Sequence, residues 1–334
     1  MDEDIASQDG IPPEPLITPI EARALDEKLL ARVIHLNVLT IVILSRGKCG
    51  LSKGVTRYLM AMTTADLLVV ISDLVLRQIP IVYWETFIFL RIIPVCNVHA
   101  VLLYAAYDCS VWFTVMFTFD RFVAIRCQNL KYCTERTAAV VLGTVAVLSC
   151  LKNIFWYFLL SGKYQLSNIP WFCTASSAVE LSVAWTTVEF SSHILTPVIP
   201  FVVILLLNAL TISQVLVASR ARKRLRSRNS GDSSKDPEME NRRKSIILLL
   251  VVSANFIVLW LVFVVHTVWM RLFYFSSAHP PLTMWDLGYM LQLLSCCTNT
   301  ALYVLTQRKF REQMREMVKF PFTCIMRETI RNEM

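Results

Sequence analysis

Asp66, Asp108 and Asp120 lie within or at the end of long apolar stretches of this chain, where a carboxylate needs a partner, a proton or a cation. Asp66 sits among Met62, Ala65, Leu67, Leu68 and Val69, and Asp108 among Tyr104, Tyr107 and Ser110. Asp120 is followed at once by Arg121, where the apolar run from Ser110 to Phe119 stops. A carboxylate beside a guanidinium at a water boundary costs several kcal/mol to desolvate unless each is paired. That pair reads as a switch rather than a packing element. For Asp66, the residues Asn37, Ser110 and Asn299 stand at matching depths in other runs and can converge on it. Such a core holds a sodium ion, or it only ties helices together by hydrogen bonds. Asp108 reads as a ligand contact or proton acceptor in a wet outer cavity, or as a protonated acid bonded to a neighbouring helix. Arg77, His193, His266 and Tyr289 fall in the outer halves of their runs, as interface residues or ligand anchors. Trp260 is central in its run, as a cavity floor or as core filler. No nucleotide loop, metal-ligand cluster or nucleophile with its base is found in the sequence, so no enzyme chemistry is expected.

These residues need a membrane-embedded scaffold. The 334 residues are 55% hydrophobic and only 17% charged, with a mean hydropathy of +0.52, too apolar for an ordinary soluble domain. Seven apolar runs separate at about 29–45, 57–79, 93–126, 138–160, 190–219, 245–270 and 283–305. Six reach the roughly 17–25 residues that cross a bilayer as a helix. The expected fold is all-α, a seven-transmembrane helix bundle over 29–305, with a segment outside at 1–28 and a cytoplasmic stretch at 306–334. The first run, from Leu29 to Ser45, contains Arg32 and His35. It would cover about 25 Å of a hydrocarbon core about 30 Å thick, so it is incomplete or ends among headgroups.

Charge sets the expected orientation. Arg220 to Lys244 carries ten Lys/Arg against four acids, and Arg46, Lys48, Lys53 and Arg57 follow the first run. These loops and the C-terminus belong in the cytoplasm, and the first 28 residues, with eight acids and two bases, outside. The net charge of +8 therefore reflects topology and an anionic inner leaflet, and gives no reason to invoke nucleic acid. Cys96 opens the third run on its outer side and Cys173 lies in the second outer loop, where a disulfide between them would tie the loop over the bundle. Beyond the seventh run, Phe310, Met314, Met317 and Val318 share one helical face, which suits a short amphipathic helix on the inner leaflet. Cys324 is a candidate for acylation there, or an unmodified thiol. Pro200 interrupts the fifth run, where a kink is expected.

Taken in order, Asn37, Leu59-x5-Ala65-Asp66, Cys96, Asp120-Arg121-Phe122, Cys173, Pro200, Asn208, Trp260, Asn299-x3-Tyr303 and Phe310-Arg311 resemble the class A, rhodopsin-like G-protein-coupled receptors. Within them, Leu36 to Thr40, Ser110-x-Trp112-x-Thr114-Val115 and a seventh-run Asn-x-x-Leu-Tyr are similar to the orphan group of probable G-protein-coupled receptors 139 and 142. The resemblance implies a plasma-membrane receptor that passes binding of an extracellular small ligand, an aromatic amino acid or short peptide, to a heterotrimeric G protein. It implies that Asp120, Arg121, Asn208 and Tyr303 form the G-protein switch. Asn37, Asp66, Ser110, Ser295 and Asn299 would form a polar core with a sodium ion as modulator. The ligand pocket would include Arg77, Tyr104, Tyr107, Asp108, His193, Trp260, Phe263, His266 and Tyr289. Phe122 replaces the common Tyr, Val262 and Thr300 stand where the family has prolines, and no Trp marks the fourth run. Leu103 stands where aminergic members carry an acid, which argues against a monoamine ligand. Two rival readings are a transporter that uses Asp66 and Asp108 as a proton or cation path, and a truncated, non-signalling receptor-like protein.

Overall fold

Hydrocarbon offers no hydrogen bonds, so a crossing segment must satisfy its backbone internally, and this chain does so with helices. The computed structural model describes residues 19–78, 93–126, 134–162, 173–175, 183–226, 237–272 and 282–317. The longer helices are α1 (Pro19–Ser45), α2 (Lys53–Val69), α3 (Ile93–Arg126), α4 (Glu135–Asn153), α5 (Val183–His193), α6 (Ile199–Arg226), α7 (Pro237–Leu272) and α8 (Leu282–Thr306), with one short turn of helix at Trp156–Leu159. Residues 308–317 form α9. A π-helical stretch, Val70–Gln78, continues α2, and another, Ile194–Val198, joins α5 to α6 as one interrupted fifth passage. The result is the expected bundle of seven helical passages, with a short helix after the seventh.

Local chemistry sets where helices start. Ser52 caps α2 by accepting from the Val55 amide at 3.4 Å, and Thr134 caps α4 by accepting from Thr137 at 3.2 Å. Five stretches among the described residues are long and apolar enough to cross a membrane: Lys53–Leu76, Pro94–Arg126, Glu135–Phe158, Phe190–Val217 and Ile246–Met270. Leu30–Ser45 is a shorter apolar helix. α8 has the length, but Asp286, Gln292, Ser295 and Asn299 dilute its apolar run.

Burial is arranged for lipid. Val140, Leu148, Leu206, Val258 and Leu261 are exposed on the helix flanks, while Asn37, Asp66, Asp73, Asp108 and Asn299 are buried. Polar groups face inward because there they find partners that hydrocarbon lacks. Two apolar clusters hold the helices together. One gathers Leu59, Met62, Phe117, Leu248, Val252 and Tyr303 from α2, α3, α7 and α8, and the other gathers Val111, Phe201, Ile204, Phe256 and Trp260 from α3, α6 and α7.

One expectation is corrected, and two features are added. α1 is 27 residues long and begins at Pro19, ten residues before the apolar run. At about 1.5 Å per residue it spans about 40 Å, while its apolar part, Leu30–Ser45, stays as short as expected. The interruption of the fifth passage lies at Thr196 (φ −150°, ψ 106°), beside Pro197, rather than at Pro200. Pro200 is the second residue of α6, where the missing N–H breaks no essential bond. The described residues also include a small antiparallel pair, β1 (Leu160–Gly162) and β2 (Cys173–Ala175), with Gly162 opposite Cys173.

α7 and α8 pack together more extensively than any other pair of described elements. Gly288 makes part of this possible, because a Cβ there would sit 3.0 Å from both Cα and N of Phe263. Backbone cannot yield as a flexible side chain does, so Gly288→Ala is expected to force the helices apart. The cost should be about 1–3 kcal/mol, read as a lower melting temperature of the purified protein. An unchanged melting temperature would contradict the close approach.

Candidate functional site

Buried polar side chains form three levels along the inside of the bundle. The lowest is at the end of α3, where Arg121 is 9% exposed. Its Nε donates to Asp120 Oδ2 at 3.0 Å, and Nη2 donates to the same oxygen. Across the interior, Asn208 of α6 and Tyr303 of α8 are buried, and the Tyr303 ring meets Phe310 of α9 edge-on at 5.9 Å. One turn above the pair, Thr118 of α3 and Ser253 of α7 have their hydroxyls 3.5 Å apart. The guanidinium is thus bonded to the acid that precedes it on its own helix.

The middle level is built on Asp66. Ser110 of α3 donates to Oδ1 at 2.6 Å, and Asn299 of α8 donates Nδ2 to Oδ2 at 2.6 Å. The carboxylate therefore joins α2, α3 and α8. Ser295 is buried one turn before Asn299, and its carbonyl accepts from the Thr298 hydroxyl at 3.1 Å. Asn37 does not converge on the carboxylate as expected: its amide goes to the Val33 carbonyl of its own helix at 3.2 Å. The hydroxyl of Thr300 lies 2.9 Å from that of Thr40 in α1, and Asn255 of α7 donates to Thr298 at 2.9 Å. Thr300, conspicuous in the sequence only as a missing proline, is thus an interhelical link.

The upper level rests on Asp73, which sequence reading missed. The hydroxyls of Tyr107 in α3 and Tyr289 in α8 both donate to Asp73 Oδ2. The signal was available: Asp73 is an acid in the second apolar run, seven residues after Asp66 and so on the same helical face. Nearby aromatic side chains enclose the outer interior. Trp260 stacks on Phe256 at 5.0 Å and meets Phe263 edge-on at 6.2 Å. Phe263 and His266 lie 5.5 and 5.2 Å from Trp285, a second residue that sequence reading missed. Tyr104 stacks on Trp156 at 4.5 Å.

Asp108 stands apart from these levels. It faces α4, where Lys152 and Asn153 engage it, so its surroundings are those of a charge pair between helices rather than of the outer aromatic cluster. His193 is half-buried at the end of α5. The buried Cys96 is disulfide-bonded. The side chains of Arg77 and Cys173, and the whole of Cys324, lie outside the described residues. Asp66 and Asp108 have separate sets of partners, with no hydrogen bond joining the two sets among the described residues.

The family model described as 7 transmembrane receptor (rhodopsin family) matches residues 36–303. That stretch contains α2 to α7, α8 as far as Tyr303, and the carboxylates of all three polar levels.

Proposed function

The chain belongs to the rhodopsin family of seven-transmembrane receptors, and from that premise we propose that it passes the binding of an extracellular small ligand to a heterotrimeric G protein. Membership makes it a multi-pass membrane receptor acting in signal transduction. The observation that carries the finer reading is the buried Arg121 bonded to Asp120 at the inner end of α3. In the resting arrangement Asp120 holds the guanidinium. Its release lets a helix of the G protein enter between α3, α6 and α7, where Asn208 and Tyr303 line the opening. A ligand acts by binding the open arrangement more tightly than the closed one, which shifts the population toward it.

The ligand enters from the outer side, among Tyr104, Tyr107, Phe263, His266 and Tyr289, above Trp260. The similarity to the orphan group of receptors 139 and 142 favours an aromatic amino acid or a short peptide. The basic inner loops place the C-terminus in the cytoplasm and the N-terminus outside the plasma membrane. A Cys96–Cys173 bridge would tie β2 to the outer end of α3. The receptor has no catalytic step of its own, and its effect on the G protein is to speed release of bound nucleotide.

The test is nucleotide exchange on a panel of Gα subunits, with the receptor reconstituted in lipid and with Trp, Phe and short peptides supplied outside. Exchange should accelerate with at least one pairing and fall to the receptor-free rate with Arg121→Ala. Acceleration that survives this substitution would overturn the switch.

The middle level suits a sodium ion by donor chemistry. Asp66, Ser110, Ser295 and Asn299 offer hard oxygen donors. When bound, sodium supplies the positive charge that lets Asp66 stay ionised inside the membrane. Replacing choline by sodium in the buffer should therefore raise the melting temperature of the purified protein. At ten times the dissociation constant the gain is about 1.4 kcal/mol, or a few degrees. Asp66→Asn should remove that response, and a response retained in the variant would contradict a site at Asp66.

A further inference from the structure

Outside the three polar levels, four side chains meet where α3 faces α4 and the fifth passage. Lys152, in the last turn of α4, places Nζ 2.9 Å from Asp108 Oδ1 and 2.8 Å from Oδ2. Asn153 donates Nδ2 to Asp108 Oδ2 at 2.6 Å, and the same amide contacts the Ser149 carbonyl at 2.8 Å. Asp108 is 3% exposed and Asn153 1%. The ammonium also donates to Thr196 Oγ1 at 3.3 Å. One cation thus bonds two other helical passages at once.

Thr196 is the residue with non-helical backbone between α5 and α6. Pro197, next to it, has no N–H to give, so the helical ladder of hydrogen bonds cannot run unbroken through this point. A break of this kind is where a helix bends. α7, by contrast, runs from Pro237 to Leu272 with no proline in its interior. The bundle therefore places a joint in its fifth passage, and the joint's hydroxyl is held by a cation whose position is fixed by α3.

We infer that Lys152 is a clamp: bonded to Thr196 while paired with Asp108, it holds the joint of the fifth passage and sets the angle of the outer arm α5 against α3. Release of the clamp frees the arm to move about Thr196 while α6 stays packed against α3. An ion pair suits this task because it is strongly held where water is scarce. Lys152 has a further property that a neutral donor lacks. Its three N–H groups serve Asp108 and Thr196 together, so disturbance of the carboxylate is felt at the joint.

The inference stands independently of signalling, because the joint can be observed without ligand or G protein. The experiment is hydrogen–deuterium exchange of the full chain in lipid nanodiscs, read on the amides of Ile194 to Ile199. Thr196→Val keeps the ion pair and removes only the hydroxyl that links it to the joint. It should speed exchange in this segment at least tenfold while the interior of α7 is unchanged. Lys152→Met should speed it at least as much, and Lys152→Arg, which keeps a cationic donor, should stay near the wild-type rate. Wild-type exchange in Thr196→Val would overturn the clamp. So would equal acceleration in Lys152→Met and Lys152→Arg, since that would mean the cation matters only for packing. If Lys152→Met does not fold, Thr196→Val and Lys152→Arg still decide the matter.

Discussion

Lys152→Met is expected to destabilise the purified protein by about 3–5 kcal/mol, because it leaves the buried Asp108 carboxylate without its cation. Asn153 keeps one hydrogen bond on Oδ2, but an amide donor does not neutralise a charge. Asp108→Asn should cost less, because the Lys152 side chain is 23% exposed and its ammonium can turn toward water. The double variant Asp108→Asn with Lys152→Met removes both charges, and should recover most of the loss despite making more changes. This non-additivity distinguishes a buried ion pair from two independent packing residues. Denaturation of the four proteins in one detergent measures it. Additive losses would mean that the pair is not coupled.

The second large effect is expected at the inner end of α3. In the proposed switch, Asp120→Ala removes an acceptor that holds Arg121 in the resting arrangement and leaves the guanidinium intact for the open one. Hydrogen bonds to charged groups are worth about 1.5–3 kcal/mol, so the closed arrangement should lose roughly a factor of ten or more in population. Nucleotide exchange on the responsive Gα, without any ligand, should rise by about tenfold. The direction matters as much as the size. Loss of a packing residue would lower exchange or leave it unchanged, whereas loss of a resting-state restraint raises it. Unchanged basal exchange in a well-folded Asp120→Ala would contradict the restraint.

The sequence showed clearly those features that lipid makes conspicuous. Asp66 and Arg121 stand out because a polar residue in an apolar run needs a reason, and Ser110 and Asn299 could be matched to Asp66 by depth. The same logic holds for Asp73, but that Tyr107 and Tyr289 meet on its carboxylate is visible only in three dimensions. Lys152 was hidden differently. It lies 44 residues from Asp108, near the outer end of its run, where a lysine reads as an interface cation. Only the packing of α4 on α3 shows which acid it faces.

Element ends follow the same division. Apolarity marks where hydrocarbon begins, not where a helix begins. Glu21, Ala22, Ala24, Leu25, Glu27 and Lys28 favour helix without favouring lipid, so α1 extends past its apolar run. In the fifth passage Pro200 drew attention as a breaker, yet a proline in the first turn of a helix costs little. The break falls four residues earlier in sequence, at Thr196. The β1–β2 pair left no period-two signal, because three-residue strands are too short to show one.

The central claim is that release of Arg121 accompanies an opening between α3 and α7 that admits a G protein. The most direct test is the distance between spin labels at the exposed positions Arg126 and Ile247, measured with and without a nucleotide-free G protein. Binding of the G protein should shift the distribution to longer distances, and Asp120→Ala should populate the longer distances even without it. A distribution that stays unchanged while the same sample catalyses nucleotide exchange would contradict the account.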